Sequence, residues 1–127
     1  MLGIRSPEDI VRMRQAVREH AIGQGFSLVD QTKIVTAASE LARNIINYGG
    51  GGEMVLQPLS EGLRKGLRLV FIDKGPGIPD IQLAMKDGYT TGGGMGLGLG
   101  GAKRLSSEFN IESKVGAGTR VTITRWK

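Results

Sequence analysis

The chain has 127 residues, of which 39% are hydrophobic and 23% are charged. These values are typical of one globular domain, so we expect a single domain over residues 1–127 and neither a multidomain machine nor a disordered tail. The absence of cysteine and the single histidine exclude a disulfide framework, a thiolate metal site and a Ser/His/Asp triad. The net charge of +5 favours an anionic ligand or an acidic partner surface.

Two further classes of protein are disfavoured by the distribution of residues. No hydrophobic run approaches the roughly 18 residues of a membrane span, and the amino terminus lacks the apolar core of a signal peptide. The basic residues form no stripe and only 5% of residues are aromatic, which argues against nucleic acid binding. We therefore expect a cytoplasmic protein that binds neither membrane nor nucleic acid.

Two amphipathic helices are predicted in the first half of the chain. The first begins at Ser6-Pro7, a typical N-cap and first helical residue, and its apolar residues recur every three or four positions up to Gly23. A second start at Ser27, with Asp30 three residues later, leads into a longer apolar pattern that ends at Gly49.

The second half of the chain is rich in strand signals. Strands are predicted at 54–59, 67–72, 111–115 and 119–126, a turn at 60–66, and short helices at 80–86 and 102–109. Helices early in the chain and strands later predict an α+β fold. We expect a two-layer sandwich with one mixed, mostly antiparallel sheet and helices on one face.

Glycine is the unusual residue, since 21 glycines are roughly twice the average share of about 7%. Fifteen of them lie at 49–52, at 75 and 77, within 92–101, and at 116 and 118. Glycine loses more backbone entropy on folding than other residues, so such clusters need a local reason. We interpret 49–52 as helix termination and the other three clusters as backbone that lies against a ligand.

Glu40 and Asn44 form the first candidate site. Four residues apart on the second helix, they share one face beside its apolar stripe. A carboxylate and an amide oxygen at one place can hold a hydrated magnesium ion and a hydroxyl group. The spacing alone is equally compatible with a solvent-exposed helix face that carries an incidental polar pair.

The second candidate is the segment Asp73-Lys74-Gly75-Pro76-Gly77-Ile78, at the end of a predicted strand. An acid followed by glycines can accept a hydrogen bond from a ligand, such as an exocyclic amine, that approaches the backbone closely. An ordinary turn that uses Pro and Gly is the alternative for this segment taken alone.

The glycine-rich run from Gly92 to Gly101 is the third candidate. It can direct consecutive N–H groups at an anion, it leads into a predicted helix where phosphate is favoured, and its flexibility suits a lid. It contains a literal G-x-G-x-x-G, but no strand precedes this motif, which disfavours a dinucleotide fold. The absence of G-K-[ST] excludes a P-loop. The fourth candidate is the hairpin turn Gly116-Ala117-Gly118-Thr119, with a hydroxyl at its exit.

In this order, the four motifs resemble the GHKL (Bergerat-fold) ATP-binding family of gyrase, Hsp90, MutL and histidine kinases. Stretches outside the ATP motifs, such as Asp30-Gln31 and Lys103-Arg104-Leu105, are similar to the RsbT-type switch serine/threonine kinases of bacterial stressosome modules. The motif Ser39-Glu40-Leu41-Ala42-Arg43-Asn44-Ile45 carries the same likeness. The resemblance covers nearly the whole chain and implies the GHKL fold.

The resemblance also implies a role for each matching position. Glu40 would be the general base for the acceptor hydroxyl, and Asn44 would ligate the Mg²⁺ that bridges the ATP phosphates. Asp73 would bind the adenine amino group, Gly77 would let the base lie against the backbone, and Thr119 would close the adenine side. The remaining nucleotide-binding positions would be Asn47, Gly75, Ile78, Gly92, Gly93, Gly94, Met95, Gly96, Leu97 and Gly98. Among these, Gly94, Gly96 and Gly98 would cradle phosphate.

The function implied by the resemblance is phosphorylation of a serine or threonine on a STAS-domain antagonist in a stressosome-like complex, with ATP and Mg²⁺. The released kinase would then activate a metal-dependent phosphatase or another signalling enzyme. No acid follows His20, so it does not look like a phosphoacceptor histidine, and the acceptor is expected on another protein. Two alternatives stay open: an anti-sigma factor of the same fold that mainly binds a sigma factor, and an ATPase without a protein acceptor.

Overall fold

The computed structural model describes residues 2–48, 50–75 and 98–127. The short helix predicted at 80–86 and the residues 92–97 of the glycine-rich run lie outside them. The described elements are β1 (Leu2–Ile4), α1 (Pro7–Gly23), α2 (Leu28–Tyr48), β2 (Gly52–Glu61), β3 (Arg64–Asp73), α3 (Gly98–Arg104), β4 (Glu108–Lys114) and β5 (Gly118–Trp126).

The first helix, α1, begins where the sequence predicts it. Ser6 is extended, Pro7 follows as the first helical residue, and Glu8 and Asp9 place negative charge at the positive end of the helix dipole. The side chains that α1 buries are Met13, Val17 and Ala21. Beyond its carboxyl end, the Gln24 amide donates to the carbonyl oxygens of Leu59 and Gly66 at 2.8 and 2.7 Å, which ties the helix to the sheet.

The second helix, α2, spans 21 residues and supplies the central layer of side chains. At its start the Ser27 hydroxyl accepts a hydrogen bond from the Asp30 N–H at 3.1 Å, as the capping pattern predicts. At its end the Gly51 N–H donates to the Ile45 carbonyl at 3.1 Å. Gly50 and Gly51 have φ values of +72° and +108°, which side chains other than glycine rarely adopt.

The described strands form one sheet in the order β1-β2-β3-β5-β4, and every described pair is antiparallel. The turn predicted at 60–66 is too wide. Strands β2 and β3 continue pairing to Glu61 and Arg64, so that only Gly62 and Leu63 form the turn. The ends of this hairpin are polar, with Lys65 donating to the Ser60 hydroxyl at 2.8 Å, and therefore lack the hydrophobic pattern that marked the inner part.

The core lies between the helices and one face of the sheet. Alternate residues of the central strands point to this face, because side chains along a strand alternate between its two sides. The buried set includes Ile34, Ala38, Leu41 and Ile45 of α2, Leu67, Leu69 and Phe71 of β3, and Val121 and Ile123 of β5. The predicted α+β sandwich with helices on one face is confirmed.

The helix predicted at 102–109 is wrong in its second half. Helix α3 occupies Gly98–Arg104, and Glu108 already begins β4. The Ser107 N–H donates to the Thr124 carbonyl at 2.8 Å, which starts the pairing of β4 with β5. The partly buried Phe109 and Ile111 alternate with exposed residues, a period of two that belongs to a strand. None of the described helices is long and apolar enough to cross a membrane.

Candidate functional site

Two of the predicted site residues lie opposite each other at one edge of the described sheet. Asp73, the last residue of β3, is paired in register with Thr119 of β5. The Asp73 carboxylate accepts a hydrogen bond from the Gly75 N–H through Oδ1 at 2.9 Å, which fixes the side chain at the strand end. The Thr119 hydroxyl lies 2.8 Å from the Ser113 hydroxyl. An acid and a hydroxyl group therefore share this edge.

Gly118 lets the two strands approach each other at Asp73. Its φ is +98°, and a Cβ at this position would lie 2.2 Å from the Asp73 carbonyl oxygen. Gly116, two residues earlier, also has a positive φ of +83°, but a Cβ there would meet no atom within 4 Å. The second glycine of the hairpin is thus required by contact with β3, whereas the first is required only by the backbone conformation of the turn.

Helix α2 reaches the same edge of the sheet through Gly52. Gly52 pairs with Asp73 across β2 and β3. A Cβ on Gly52 would lie 2.2 Å from the Ile72 carbonyl oxygen and 3.0 Å from Cγ2 of Ile45. Since Ile45 follows Asn44, the second half of α2 lies over the end of the sheet that carries Asp73. Gly52 is therefore not part of the helix termination predicted for 49–52, because it begins β2 and packs against α2.

Glu40 and Asn44 lie at the edge of the core. Glu40 is only 5% exposed, and its Oε1 accepts a hydrogen bond from Nη1 of Arg43 at 2.6 Å. The side-chain amide nitrogen of half-buried Asn44 is itself buried and has no hydrogen-bond partner among the described residues. The alternative explanation, in which Glu40 and Asn44 are an incidental polar pair on a solvent-exposed helix face, is therefore wrong. A buried polar atom without a partner is unfavourable, so the amide nitrogen of Asn44 is a candidate to donate a hydrogen bond to a ligand or to water.

The helix that follows the glycine-rich run packs against α2. Gly98 is the first residue of this helix, α3, and Gly100, Gly101 and Ala102 are buried. Small side chains let two helices approach closely, so the amino-terminal part of α3 lies beside the helix that carries Glu40. The predicted phosphate-binding residue Gly98 is thus brought to the α2 side of the molecule.

The other predicted site residues are placed only in part. Asn47 is exposed near the end of α2. The Gly75 N–H is used by the Asp73 carboxylate, so this glycine contributes through the acid. The predicted nucleotide-binding residues outside the described part of the chain are Gly77, Ile78, Gly92, Gly93, Gly94, Met95, Gly96 and Leu97.

Two residues of this region make contacts that the sequence motifs do not predict. Arg43 belongs to the family-like stretch 39–45, and its spacing from Glu40 is a local signal for the pair, because residues three apart on a helix are neighbours. Gly52 has no such signal, because its contact depends on how β2 pairs with β3.

The residues present fit ATP with a magnesium ion better than a metal held by protein alone. In residues 2–48, 50–75 and 98–127, no group of three or more His, Cys, Asp or Glu side chains could hold a metal ion. Magnesium keeps several waters and is commonly bound by one or two protein oxygens together with substrate phosphates. The side-chain oxygen of Asn44 is of the type that magnesium binds, and its amide nitrogen, which lacks a partner among the described residues, can donate to a phosphate oxygen.

Comparison with known proteins agrees with this geometry. The chain belongs to the family of histidine kinase-, DNA gyrase B- and HSP90-like ATPases, whose family model matches residues 29–127. The resemblance to ATP-binding GHKL proteins is thereby confirmed, and the chain uses ATP.

A curated relative narrows the class further. The chain is 48% identical over 118 residues to the serine/threonine-protein kinase RsbT of Bacillus subtilis (strain 168), covering 93% of this chain and 89% of the relative. Within the ATPase family it is therefore a serine/threonine protein kinase of the RsbT type.

Solved structures of low sequence identity share the fold. The mycobacterial sensor histidine kinase MprB superposes with a TM-score of 0.57 at 16% identity, over 94% of this chain and 93% of the other. The histidine kinase domain of the Erythrobacter litoralis EL346 blue-light activated histidine kinase gives a TM-score of 0.56 at 20% identity, over 93% of this chain and 59% of the other. These similarities concern the fold alone.

Proposed function

We propose that this kinase transfers the γ-phosphate of ATP to a serine or threonine of a STAS-domain antagonist protein in a bacterial partner-switching pathway. Glu40 is the general base of the reaction. The observation that carries the proposal is the buried carboxylate of Glu40, one helical turn from Asn44, on a helix that packs over the sheet end formed by Asp73 and Thr119.

The adenine end of the nucleotide binds at the edge of β3 and β5. Asp73 accepts a hydrogen bond from the adenine amino group, and the Gly75 N–H that bonds its Oδ1 holds the carboxylate in place for this contact. A carboxylate has two oxygens, so one can bind the backbone while the other binds the base. Thr119, directly opposite Asp73, closes this side, while Gly77 and Ile78 complete the contact with the base.

The phosphate end of the nucleotide lies toward α2 and α3. Asn44 ligates Mg²⁺ and Asn47 contacts phosphate. The backbone that cradles the phosphates is supplied by Gly92, Gly93, Gly94, Met95, Gly96, Leu97 and Gly98. A magnesium ion held there would neutralise part of the negative charge that develops on the phosphoryl group during transfer. The side-chain oxygen of Asn44 would hold Mg²⁺, which leaves its partnerless amide nitrogen to donate a hydrogen bond to a phosphate oxygen.

In the transfer step, Glu40 takes the proton of the acceptor hydroxyl. The hydroxyl oxygen forms a bond to the γ-phosphorus as the bond between that phosphorus and the oxygen of ADP breaks. Phosphoryl transfer passes through a loose transition state, so orientation of the hydroxyl matters more than a strong base. Burial of Glu40 among core side chains gives its carboxylate a fixed position for this task.

Transfer of labelled phosphate tests the proposal. Purified kinase is incubated with γ-labelled ATP, Mg²⁺ and a STAS-domain protein from the same organism. We expect label on a serine or threonine of the partner. In Glu40→Gln the rate of transfer should fall at least about 100-fold, since general bases contribute typically 10²- to 10⁴-fold. A rate unchanged in Glu40→Gln would contradict the role of this base. No transfer, together with a tight complex with a sigma factor, would favour the anti-sigma alternative.

The proposal extends to the domain organisation, the downstream partner and the cellular location of the kinase. Residues 1–127 act as one ATP-binding kinase domain, supported by the packing of α1 against α2 and by the core that α1 shares with the sheet. After phosphorylation of its antagonist within a stressosome-like complex, the kinase binds and activates a metal-dependent phosphatase or another signalling enzyme. We place the kinase in the cytoplasm, where its substrate ATP is available.

A further inference from the structure

Arg43 is the cation against which the proposed base is held. Its Nη1 lies 2.6 Å from Oε1 of Glu40, and both residues belong to α2, three positions apart. The Glu40 side chain is 6% exposed, whereas that of Arg43 is 32% exposed. The Glu40 carboxylate is therefore buried, and the Arg43 guanidinium contacts it from the partly exposed surface of α2.

This pair has a definite energetic consequence. A carboxylate removed from water loses hydration worth several kcal/mol unless a partner compensates for it. Among the described contacts of Glu40, the hydrogen bond from Arg43 provides that compensation. The bond also fixes the orientation of the carboxylate. Because Oε1 accepts the hydrogen bond from Arg43, the acceptor proton would be taken by the second oxygen, Oε2.

We propose that Arg43 is a positioning residue for phosphoryl transfer, which acts by holding the Glu40 carboxylate in the orientation that receives the hydroxyl proton. This inference rests on the proposed function. Arg43 contributes to the rate of transfer through Glu40 and contributes little to nucleotide binding. The contact involves one nitrogen and one oxygen, so a lysine, which has a single cationic nitrogen, can replace it in part.

Three variants test the inference, with ATP binding and phosphate transfer measured separately. Binding of ATP with Mg²⁺ is measured by titration calorimetry, and transfer to the STAS-domain protein by single-turnover kinetics. In Arg43→Gln we expect transfer at least tenfold slower and a Kd for ATP changed less than threefold. In Arg43→Lys we expect recovery of most of the rate. In a Glu40→Gln background, the additional change Arg43→Gln should not lower the rate of transfer further, because the effects of substitutions in residues that act as a unit are not additive.

The matched control is Lys33→Gln, which removes an exposed cation from the same helix and should leave both measurements unchanged. If Arg43→Gln alone fails to fold, the Lys variant and the double variant, in which neither partner is charged, still give the comparison. Transfer by Arg43→Gln at the wild-type rate overturns the inference, as does a Kd for ATP that rises in proportion to the loss of rate. Equal loss in the Gln and Lys variants also overturns it.

The failure of the proposed function has a different signature. Wild-type protein that binds ATP but transfers no phosphate removes the proposed function and this inference together. Wild-type transfer that depends on Glu40 but not on Arg43 removes the inference alone.

Discussion

Gly118 shows how one residue without a side chain can shape the adenine end of the proposed site. A Cβ there would lie 2.2 Å from the Asp73 carbonyl oxygen and 2.9 Å from Cα of Lys74, both backbone atoms that cannot rotate away. The approach of β5 to β3 sets the distance between Asp73 and Thr119, which are paired in register. Any side chain at position 118 must therefore push apart the two residues assigned to adenine.

Substitution of Gly118 by Ala is expected to weaken both folding and nucleotide binding. Gly116→Ala is the matched control, because it has a similar positive φ but open space around it. The control should lower the free energy of unfolding by about 1–2 kcal/mol, the strain of a left-handed residue. Gly118→Ala should lower it by more, since overpacking adds about 1–3 kcal/mol to the same strain.

Urea unfolding and ATP titration check this comparison. We expect the Kd for ATP to rise several-fold in Gly118→Ala and to stay unchanged in Gly116→Ala. Equal destabilisation by the two substitutions would contradict a role for the close contact with Asp73.

At the scale of elements, a single side chain joins α2, α3 and β5. Arg125 of β5 donates to the Asp30 carboxylate at 2.7 Å through Nη2 and to the Leu105 carbonyl at 2.8 Å through Nη1. Asp30 lies in the first turn of α2, and Leu105 follows α3. Both side chains of the ion pair are partly buried, and with the bond to Leu105 the pair fixes the carboxyl end of α3 against the start of the helix that carries Glu40.

This ion pair gives the stability of the protein a defined dependence on pH. The hydrogen bond from Arg125 holds the pKa of the Asp30 carboxyl below its ordinary value, with a smaller contribution from Ser27. Asp30 therefore contributes stability above the pKa of the unfolded chain, about 3.9, and this contribution is lost as the pH falls through the lower pKa of the folded state.

Asp30→Asn should therefore lower the free energy of unfolding by about 1 kcal/mol at pH 7, near the upper end for a partly exposed pair. Below pH 4 the difference from wild type should shrink, since the wild-type carboxylate becomes protonated as well. Urea unfolding at several pH values measures this, with Glu61→Gln, an exposed carboxylate at the end of β2, as the control. A difference that stays constant with pH would contradict the assignment to the ion pair.

Sequence patterns predicted the helices and strands well where an element is determined by interactions between residues close in the chain. The start of α1 follows from Pro7, which fits the first turn of a helix, and the start of α2 follows from the hydrogen bond of the Asp30 N–H to Ser27; both signals are local. The third helix was placed too late, since Leu105 and Phe109 fit a helical spacing equally well. Pairing of Glu108 with Thr124, sixteen residues away, decides the boundary, and such long-range contacts leave no local signal.

The site shows the same division between local and long-range information. The spacing of Glu40 and Asn44 is local and predictable from the sequence, and so is the pair of Glu40 with Arg43, which carries the opposite charge three positions later. The juxtaposition of Asp73, Thr119 and Gly52 comes from strand register, which the sequence alone does not specify. The family resemblance indicated that Asp73 and Thr119 belong to one site, whereas nothing in the sequence indicated Gly52.

At the scale of the whole molecule, both ends of the proposed nucleotide site are built from segments distant in the chain. The adenine end joins β3 to β5, and the phosphate end joins α2 to α3. Nucleotide that contacts all four elements favours the folded state over the unfolded one. Binding should therefore stabilise the protein globally, by the difference in affinity between the two states.

Thermal unfolding with and without nucleotide measures this effect. A ligand at about 100 times its Kd adds about 2.7 kcal/mol of stability, and for a chain of this size each kcal/mol raises the melting temperature by about 4 °C. We expect ATP with Mg²⁺ at that concentration to raise the melting temperature by about 10 °C. Guanine has a carbonyl where adenine has the amino group that Asp73 is proposed to bind, so GTP at the same concentration should give a much smaller increase.

Asp73→Ala should abolish the difference between ATP and GTP, because it removes the acceptor that distinguishes them. Asn44→Ala should instead reduce the effect of Mg²⁺ on ATP binding while keeping the preference for ATP, since it acts at the phosphate end. The two variants thus separate the two ends of the site in one measurement. An equal increase with ATP and GTP in the wild-type protein would contradict adenine recognition by Asp73, and an increase that does not respond to Asn44→Ala would contradict its role at the metal.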